Sequence, residues 1–213
     1  MNLAIAGGHG KVGLQLGRLL SERGNSVRGL IRNLDQAEDL RAAGVEPVLC
    51  DLESDDDVAD AVRGCDGLVF AAGAGPGSGP ERKRTMDLGG ALKLIEAARA
   101  EGSRRYVMVS AMGAANPPAE GGGDFGEYLR AKAEADRALA ESGLDFTIVR
   151  PGRLTDQPPT GLIRVGAELG RGEVSRADVA ATLAAVLNAD NTIGKTFELL
   201  RGETPIEEAV AGL

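Results

Sequence analysis

The feature that most constrains the fold of this chain is a glycine-rich segment at residues 7–13, with the sequence Gly-Gly-His-Gly-Lys-Val-Gly. An apolar run of strand length precedes it at residues 2–6, and an amphipathic run that predicts a helix follows it. Gly7 permits a tight turn, Gly10 lets the backbone approach a phosphate, and Gly13 lets the helix pack against the strand. The order of strand, glycine turn and helix predicts that the N–H groups at the helix start hold a dinucleotide pyrophosphate.

The spacing of these glycines is G-x-x-G-x-x-G, whereas the usual dinucleotide motif is G-x-G-x-x-G. The alternative is a glycine turn without a ligand. The position of the segment favours binding, because it lies between a strand and a helix for which Gly24 provides a C-terminal stop. The residues predicted to hold this part of the cofactor are Gly7, Gly8, His9, Gly10, Lys11 and Val12.

Length and charge limit the classes of protein to which the chain can belong. With 213 residues, of which 43% are hydrophobic and 26% charged, it has the size and composition of one α/β domain. Its net charge of −8 argues against nucleic acid or an anionic membrane as a partner, because both require a basic face. We expect a small-molecule substrate and either a monomer or a homodimer.

The sequence also predicts a cytoplasmic protein without a metal site. It contains no apolar run of about 18 residues that could span a membrane and no charged-then-apolar leader. Cys50 and Cys65 lack the spacing of metal ligands, and the single histidine, His9, lies in the glycine segment. Two cysteines without such spacing are typical of a protein in a reducing compartment.

Short apolar runs alternate with helical patterns up to residue 150, which is typical of βαβ units around a parallel sheet. The runs are apolar throughout, as in sheets that helices cover on both faces. We predict an α/β fold of the Rossmann type, with a doubly wound parallel sheet in the order 3-2-1-4-5-6. The predicted strands are 2–6, 26–31, 45–50, 67–72, 105–110 and 145–150, and the predicted helices lie near 11–23, 35–43, 55–63, 85–101 and 127–142.

The chain changes character after residue 150, where prolines and glycines indicate an irregular segment to about residue 173. We interpret residues 151–213 as a small substrate-side lobe of a single NAD(P)-binding domain, 1–213, placed over the carboxyl ends of the strands. The elements predicted after the irregular segment are a helix at 177–187 with Ser175 as its N-cap, a strand at 196–200 and a short helix from Thr204.

Two long loops rich in glycine and proline follow the fourth and fifth predicted strands, at residues 73–84 and 113–126. Both would lie over the same edge of the sheet. Long loops at that edge are usually functional, so we expect them to act as lids over a ligand.

The end of the second predicted strand distinguishes the two nicotinamide cofactors. NAD-binding folds place an acidic residue about 20 residues past the glycine motif, where it bonds the ribose 2′-hydroxyl. Here Arg32 and Asn33 occupy that place, and an arginine can bind a 2′-phosphate with two hydrogen bonds. This favours NADP over NAD. The alternative is that Arg32 is a solvated loop residue and that Asp35 bonds the ribose.

Residues after the third and fourth predicted strands complete the predicted cofactor site. Asp51 and Leu52 are placed to flank the adenine, although Asp51 could equally belong to the N-cap region of the next helix. Ala71, Ala72 and Gly73 are small residues at the point where the cofactor backbone would pass.

Ser110, Tyr128 and Lys132 form a candidate catalytic set. Ser110 closes the fifth strand, and Tyr128 and Lys132 are four residues apart, so they share one face of the next helix. In a reductase, the tyrosine gives a proton to the substrate oxygen, the ammonium lowers the tyrosine pKa, and the serine hydroxyl stabilises the oxyanion. Lys132 can also hold the nicotinamide ribose. We therefore predict that Lys132 and Ser110 bind the cofactor as well. The alternative is an amphipathic helix with Tyr128 half-exposed and Lys132 solvated.

Beyond the glycine segment and the Tyr128/Lys132 pair, further motifs stand at residues 71–73, 109–110, 147–152, 175–180 and 194–198. With these motifs the chain resembles the short-chain dehydrogenase/reductase superfamily over nearly its whole length. It is most similar to the branch of small NAD(P)-binding, NmrA-like proteins of epimerase and dehydratase type. The resemblance implies that the turn formed by Arg150, Pro151 and Gly152 lies beside the nicotinamide and that residues 176–180 line the substrate lobe.

The leading functional hypothesis is an NADP-dependent oxidoreductase that transfers a hydride to a small carbonyl or another acceptor. One alternative is a redox sensor or regulator that binds NADP without turnover. Another is an epimerase or dehydratase that uses transient oxidation, which is disfavoured because the tail after Arg150 is small for a sugar-nucleotide site.

Overall fold

The computed structural model describes residues 1–54, 57–75 and 77–213. Six parallel strands form the larger part of a nine-stranded sheet, in the order β3-β2-β1-β4-β5-β6. This confirms the predicted doubly wound α/β fold and its strand order. The six strands are β1 (Asn2–Ala6), β2 (Ser26–Ile31), β3 (Glu46–Leu49), β4 (Gly67–Phe70), β5 (Arg105–Val109) and β6 (Asp145–Pro151).

Helices connect the strands and cover both faces of the sheet. The first helix starts at Lys11, directly after the glycine segment, and its chain reverses at Gly24, where a φ of +80° provides the predicted stop. Residues 55 and 56 of the helix predicted at 55–63 lie outside the described residues. The helices are α1 (Lys11–Glu22), α2 (Ala37–Ala42), α3 (Val58–Val62), α4 (Gly79–Arg82), α5 (Ala91–Glu101), α6 (Gly123–Ala140), α7 (Arg176–Leu187) and α8 (Ile206–Ala211).

The loop predicted at 73–84 is shorter than expected, because α4 begins inside it. A π-helical segment, Lys83–Gly90, joins α4 to α5, so that one continuous helical stretch replaces the helix predicted at 85–101. Such π-helical turns are rare and are frequent at functional sites.

The loop predicted at 113–126 is also shorter, because α6 begins at Gly123 instead of residue 127. Gly122 adopts a φ of +78° before the helix, and a Cβ on Gly126 would lie 2.4 Å from the Gly121 carbonyl oxygen. These glycines therefore form a tightly packed helix start, a use of glycine that sequence patterns do not distinguish from a loop.

The two faces of the sheet carry separate hydrophobic clusters. Along β1, Leu3 and Ile5 belong to one cluster, and Ala4 and Ala6 belong to the other, as the alternation of side chains along a strand requires. The first cluster extends from Leu3 into α7 and α8, so the C-terminal tail shares a core with the first strand.

The tail adds three strands to the sheet. β10 (Lys195–Arg201) pairs parallel to β6, β8 (Leu162–Gly166) pairs antiparallel to β10, and β11 (Thr204–Pro205) pairs antiparallel to β8. A small parallel sheet joins β7 (Arg153–Thr155) and β9 (Glu173–Ser175). The predicted strand at 196–200 is therefore confirmed within β10.

The prediction of an irregular segment up to residue 173 is wrong, because β7, β8 and the start of β9 lie in it. These strands are short and carry no clear apolar alternation; in β8 only Ile163 is buried. Ser175 is the predicted N-cap of α7, and its hydroxyl accepts the Asp178 N–H at 2.9 Å. The helix predicted from Thr204 begins at Ile206, because the two preceding residues form β11.

None of the helices in the described part of the chain combines the length and the apolar composition needed to cross a lipid bilayer.

Candidate active site

The glycine segment forms a turn between β1 and α1 in which backbone atoms approach closely. Gly7 has a φ of +79°, and a Cβ on it would lie 2.7 Å from Ala72 Cα. A Cβ on Gly13 would lie 2.3 Å from the Gly7 carbonyl oxygen, and one on Gly8 would lie 2.6 Å from Gly29 Cα. A side chain at any of these positions would displace the turn, which explains Gly7 and Gly13 as predicted and adds Gly8.

Gly10 caps the N-terminus of α1 and carries no side chain that could occupy the free N–H groups of the first turn. Its own N–H donates to the Gly7 carbonyl oxygen at 2.9 Å, and its carbonyl oxygen accepts the Leu14 N–H at 2.9 Å. The 12-residue helix directs the positive end of its dipole at the turn. This backbone cradle fits a dinucleotide pyrophosphate, since N–H donors at a helix start bind anions without a basic side chain.

A cavity of about 280 Å³, the Arg32 cavity, opens beside this turn at the carboxyl ends of β1 to β4. It brings together most of the residues predicted to bind cofactor. Its wall consists of Gly7, His9, Gly10, Leu30, Ile31, Arg32, Gln36, Cys50, Asp51, Leu52, Ala71, Ala72, Gly73, Ala74, Arg82 and Met86.

Asn33 and Asp35 lie outside the wall of the Arg32 cavity. The Asn33 side-chain oxygen accepts the Asp35 N–H at 2.9 Å, and its amide donates to the Asp35 carboxylate at 3.2 Å. The pair caps the 3-10 turn Leu34–Gln36, a local use of asparagine that competes with ligand binding. The structure therefore does not bring Asn33, or the alternative ribose ligand Asp35, into the cavity.

Asp51 belongs to the cavity wall and is not the N-cap of α3. That cap is Asp57, whose carboxylate accepts the Asp60 N–H at 3.1 Å. The Asp51 carboxylate accepts the Glu53 N–H at 2.9 Å in the turn that follows β3. The N-cap alternative for Asp51 is therefore wrong, and its neighbour Leu52 is buried in the same wall.

The side chains of His9 and Lys11 reach from the glycine turn to carboxylates. His9 Nε2 lies 2.7 Å from Asp39 Oδ2, and Lys11 Nζ donates to Asp156 Oδ2 at 2.7 Å. Arg176 donates to the other Asp156 oxygen at 2.7 Å, and the hydrogen bond from Lys11 lowers the Asp156 pKa. Lys11 thus ties α1 to the tail, which leaves anion binding at this turn to backbone N–H groups.

A second cavity of about 490 Å³, the Tyr128 cavity, adjoins the first, and residues 71–73 line both. The predicted catalytic residues Ser110, Tyr128 and Lys132 all line it. The other wall residues are Val12, Gly75, Gly77, Lys83, Asp87, Val109, Asp124, Phe125, Leu154 and Arg176.

Lys132 is held by groups that the sequence did not identify. Its side chain is 3% exposed, and its Nζ donates to the Val109 carbonyl oxygen at 3.2 Å and lies 3.3 Å from Asp87 Oδ1. Asp87, which is fully buried in the π-helical segment, also accepts the Ala74 N–H at 3.2 Å. The alternative of a solvated Lys132 is therefore wrong, because a buried ammonium with a buried carboxylate partner is part of the interior.

Tyr128 is a protonated phenol in this environment. Burial raises its pKa, the Lys132 ammonium lowers it, and the Asp87 and Asp136 carboxylates raise it, with a net increase above the usual value. Lys132 lowers the Tyr128 pKa as predicted, but burial outweighs an ammonium whose Nζ lies 5.9 Å from the ring centroid and contacts Asp87. A group that keeps its proton at neutral pH can act as an acid.

Ser110 does not direct its hydroxyl proton into the cavity. Its Oγ donates to Asp136 Oδ2 at 2.9 Å, and Arg150 Nε and Nη2 each lie 2.9 Å from the same oxygen. Arginine has no acceptor, so this carboxylate oxygen is an acceptor and Ser110 is its donor. The Ser110 oxygen therefore offers lone pairs to a ligand, and the expected donation to an oxyanion is not the arrangement observed.

A third cavity of about 1060 Å³, the Met112 cavity, adjoins the Tyr128 cavity, and Ser110, Phe125, Tyr128 and Leu154 line both. Phe125 is 65% exposed, and its ring centroid lies 6.0 Å from that of Tyr128. The remaining wall residues are Ala111, Met112, Gly113, Leu129, Pro151, Gly152, Arg153, Glu168, Gly170, Arg171, Gly172, Glu173 and Glu198.

Pro151 and Gly152 thus line the Met112 cavity instead of the two cavities that residues 71–73 connect. Main-chain pairing sets their place, since the Pro151 carbonyl oxygen accepts the Met112 N–H at 3.1 Å and Gly152 donates to Leu199 at 3.0 Å. The structure therefore does not bring Pro151 and Gly152 together with the other residues predicted to bind the cofactor.

Sequence reasoning missed four polar residues around Tyr128. Asp136 had a signal, since it lies four residues after Lys132 and extends the same helix face. Lys83 and Asp87 had none, because the π-helical segment changes which side chains point inward; Lys83 Nζ lies 5.6 Å from the Tyr128 ring centroid. Arg150 belongs to the turn that the resemblance places beside the nicotinamide, but its pairing with Asp136 was not predicted.

Comparison with known proteins identifies the family. A profile of proteins described as NAD(P)H-binding matches residues 7–190. The chain belongs to this NAD(P)H-binding family. It is 41% identical to "Uncharacterized sugar epimerase YhfK" of Bacillus subtilis (strain 168) over 219 residues, which cover 100% of both chains.

Solved structures agree in fold. A putative NAD-dependent epimerase/dehydratase from Bacillus halodurans has a TM-score of 0.94 and 38% identity, with 100% of both chains covered. ChuY, an anaerobillin reductase from Escherichia coli O157:H7, has a TM-score of 0.81 and 27% identity, with 94% of this chain and 97% of that chain covered. The predicted resemblance and the Rossmann-type fold are therefore confirmed, and the chain is a member of an oxidoreductase- and epimerase-like family that binds NAD(P).

Proposed function

We propose that the protein is an NADP-dependent oxidoreductase that transfers a hydride to a small carbonyl or another acceptor. The observation that carries this proposal is the pair of adjoining cavities along residues 71–73, one at the glycine turn and one at Tyr128 and Lys132. A dinucleotide has two halves joined by a pyrophosphate, and this arrangement offers a site for each half beside one helix start.

Within this proposal, backbone N–H groups at the start of α1 hold the pyrophosphate, and the Arg32 cavity holds the adenosine. The nicotinamide end belongs in the Tyr128 cavity, where the bound cofactor supplies the hydride. Lys132, held between Asp87 and Val109, is available to a ribose hydroxyl at that end. Ser110, whose oxygen accepts hydrogen bonds, suits a donor such as an amide N–H or a substrate hydroxyl.

Tyr128 is the proposed proton donor to the substrate oxygen. Its raised pKa keeps the phenol protonated at neutral pH, and the nearby Lys132 ammonium stabilises the phenolate that remains after donation. The adjoining Met112 cavity gives the acceptor access to the phenol from the side away from residues 71–73.

We further propose a preference for NADP over NAD. Arg32 lines the cavity with 52% of its side chain exposed, and the acidic residue Asp35 is engaged with Asn33 outside it. A guanidinium that reaches a 2′-phosphate would favour NADP. Calorimetric titration with both cofactors tests this preference, and equal affinities would contradict it.

The compartment and the domain organisation that we propose for the protein rest on its cysteines and its core. We propose a cytoplasmic monomer or homodimer; the buried Cys50 and Cys65, which form no disulfide with each other, support a reducing compartment. We also propose a single domain in which residues 151–213 form the substrate-side lobe; the core shared by β1, α7 and α8 supports one domain.

A second candidate function is an epimerase or dehydratase, as the relatives from the two Bacillus species are named. The Met112 cavity, at about 1060 Å³, favours this candidate because it can take a larger substrate than a small carbonyl. The protonated Tyr128 favours reduction, since an oxidation step would need the phenolate as a base. A screen of carbonyls, quinones and flavins with saturating NADPH distinguishes the oxidoreductase, which consumes NADPH, from an epimerase, a dehydratase or a regulator, which show no net consumption.

A further inference from the structure

A single carboxylate oxygen at the rim of the Arg32 cavity contacts two arginines. Glu53 Oε2 accepts hydrogen bonds from Arg82 Nε at 2.9 Å and Arg82 Nη2 at 2.8 Å, and Arg32 Nη1 lies 4.0 Å from it. The other oxygen, Oε1, accepts the Thr85 hydroxyl at 2.6 Å. The two guanidinium groups, which come from the end of β2 and from α4, are thus gathered at one point.

Arg32 and Arg82 line the cavity, whereas Glu53 does not belong to its wall. Arg82 binds Glu53 through the edge formed by Nε and Nη2, and within the described part of the chain its Nη1 group has no hydrogen-bond partner. A guanidinium carries five N–H donors in a rigid plane, so Arg82 can hold Glu53 with one edge and a ligand with the other.

The N–H donors of the two arginines, more than their net charge, favour a phosphate, because the Glu53 and Asp51 carboxylates offset the two positive charges. Burial raises the Glu53 pKa, but the hydrogen bonds from Arg82 and Thr85 and the charges of both arginines lower it further, so the carboxylate is ionised. Asp51 adds a second carboxylate to the wall. A neutral ribose hydroxyl gains little from two arginines, whereas a phosphate monoester has enough charge and acceptor oxygens to use both.

We propose that Arg82 is a second phosphate-binding residue of the cofactor site, which acts with Arg32 on the 2′-phosphate of NADP and is positioned by Glu53 and Thr85. The inference rests on the proposed preference for NADP. It assigns a specificity-determining role to a residue far from the end of β2, where the sequence places the cofactor choice.

The test uses 2′,5′-ADP and 5′-AMP, which differ in the 2′-phosphate and lack the nicotinamide, with affinities measured by calorimetry on the full chain. Arg82→Ala is expected to weaken binding of 2′,5′-ADP by about tenfold and to leave that of 5′-AMP within about twofold, on the scale of one charge-assisted hydrogen bond. The matched control is Arg84→Ala, which removes a charge two residues away on an exposed side chain that pairs with Glu127.

The Glu53 variants test positioning. Glu53→Ala frees the Arg82 side chain and is expected to weaken 2′,5′-ADP binding. Glu53→Gln keeps an acceptor for Arg82, so its affinity for 2′,5′-ADP should equal or exceed that of the wild-type chain. Tighter binding by both variants would mean that Glu53 only competes with the phosphate, and the positioning role would be overturned.

The outcomes also separate this inference from the proposed function. If Arg32→Ala weakens 2′,5′-ADP binding and Arg82→Ala does not, the role of Arg82 is overturned and the preference for NADP stands. If the wild-type chain binds 2′,5′-ADP and 5′-AMP equally, the preference for NADP itself fails. Circular dichroism of each variant checks that the fold is retained.

Discussion

The Arg32 cavity and the Tyr128 cavity share residues 71–73, but backbone geometry shapes the first and buried polar side chains shape the second. The first adjoins a turn whose shape comes from glycine backbone, where a Cβ on Gly13 would lie 2.3 Å from the Gly7 carbonyl oxygen. The second depends on buried polar side chains, in which Lys132 contacts Asp87 and Ser110 contacts Asp136. Backbone geometry is visible in a local motif, whereas a side-chain network forms only when distant segments pack together.

This difference implies different sensitivities. Cofactor binding at the glycine turn should be lost completely when one side chain is added there, because the backbone cannot move away without displacing β1 or α1. The network around Tyr128 should respond in graded steps, because each charged group shifts the balance of its neighbours.

The largest effect is expected for Gly10→Val. A Cβ at this position already lies 3.0 Å from the Gly7 carbonyl oxygen, and the branched side chain would cover the N–H groups at the start of α1. Calorimetry should show loss of detectable binding for both NADP and NAD, with the fold retained by circular dichroism. Gly89→Ala is the control, since the nearest atom to its Cβ is at 3.5 Å, and it should bind normally. Normal binding by Gly10→Val would contradict the proposal that the N–H groups at the start of α1 hold the pyrophosphate.

The next effect is expected for Tyr128→Phe. Loss of a positioned acid should reduce turnover by about 10²–10⁴-fold while NADPH affinity stays nearly unchanged. The chain has only one other tyrosine, Tyr106, whose hydroxyl is buried and has no partner within the described residues. Tyr106→Phe should leave turnover unchanged and be neutral or stabilising. Normal turnover by Tyr128→Phe would point to a solvent proton.

Arg32→Ala should follow in size. Loss of a phosphate contact costs about 1.5–3 kcal/mol, or roughly 10- to 150-fold in NADP affinity, with little change for NAD. Arg28→Ala is a control on the same strand, because its guanidinium contacts Glu46 and the Arg63 carbonyl oxygen outside the cavity. An unchanged ratio of the two affinities would remove Arg32 from the cofactor site.

Smaller and opposite shifts are expected when the charges around Tyr128 are changed. Lys132→Met should raise the Tyr128 pKa further, and Asp87→Asn should lower it, because the ammonium favours the phenolate and the carboxylate opposes it. Near-ultraviolet absorbance reads this ionisation directly, since Tyr106 is fully buried with a pKa raised well above its usual value.

Lys195→Met, on an exposed side chain, is the control for this titration and should leave the Tyr128 pKa unchanged. Because Tyr128 acts as an acid in this account, turnover should fall as pH rises through its pKa, above the usual value of 10.0. Shifts of the same sign for Lys132→Met and Asp87→Asn would contradict the account of the network.

The smallest effect is expected in the segment between β5 and α6. Residues 113–122 are rich in glycine and proline, and we predict that their amide hydrogens exchange rapidly in the free protein and become protected with NADP and substrate. Hydrogen exchange measures this, with β5 as the slowly exchanging reference. Strong protection of the segment in the free protein would contradict the lid that the sequence predicts.

The sequence was sufficient for the parts of the fold that repeat a pattern. The six parallel strands and their order follow from apolar runs and right-handed connections. β8 was not predictable, because only Ile163 of this short strand is buried and its partner β10 lies some thirty residues later. The start of α6 at Gly123 was missed because close packing, not helix propensity, accounts for its glycines.

The same division applies to the site. The convergence of Ser110, Tyr128 and Lys132 on one cavity was predictable from a strand end and a four-residue spacing. The direction of the Ser110 hydroxyl and the net Tyr128 pKa shift were not, because Ser110 meets Asp136, and Lys132 meets Asp87, only when separate segments pack together.

The most direct test of the central claim is a turnover screen with saturating NADPH, in which carbonyls, quinones and flavins are offered to the wild-type chain and to Tyr128→Phe. The account predicts at least one acceptor that the wild-type chain reduces with consumption of NADPH and that the variant reduces at least about 100-fold more slowly. Equal rates for the two chains, or no consumption of NADPH with any acceptor despite tight binding, would contradict it.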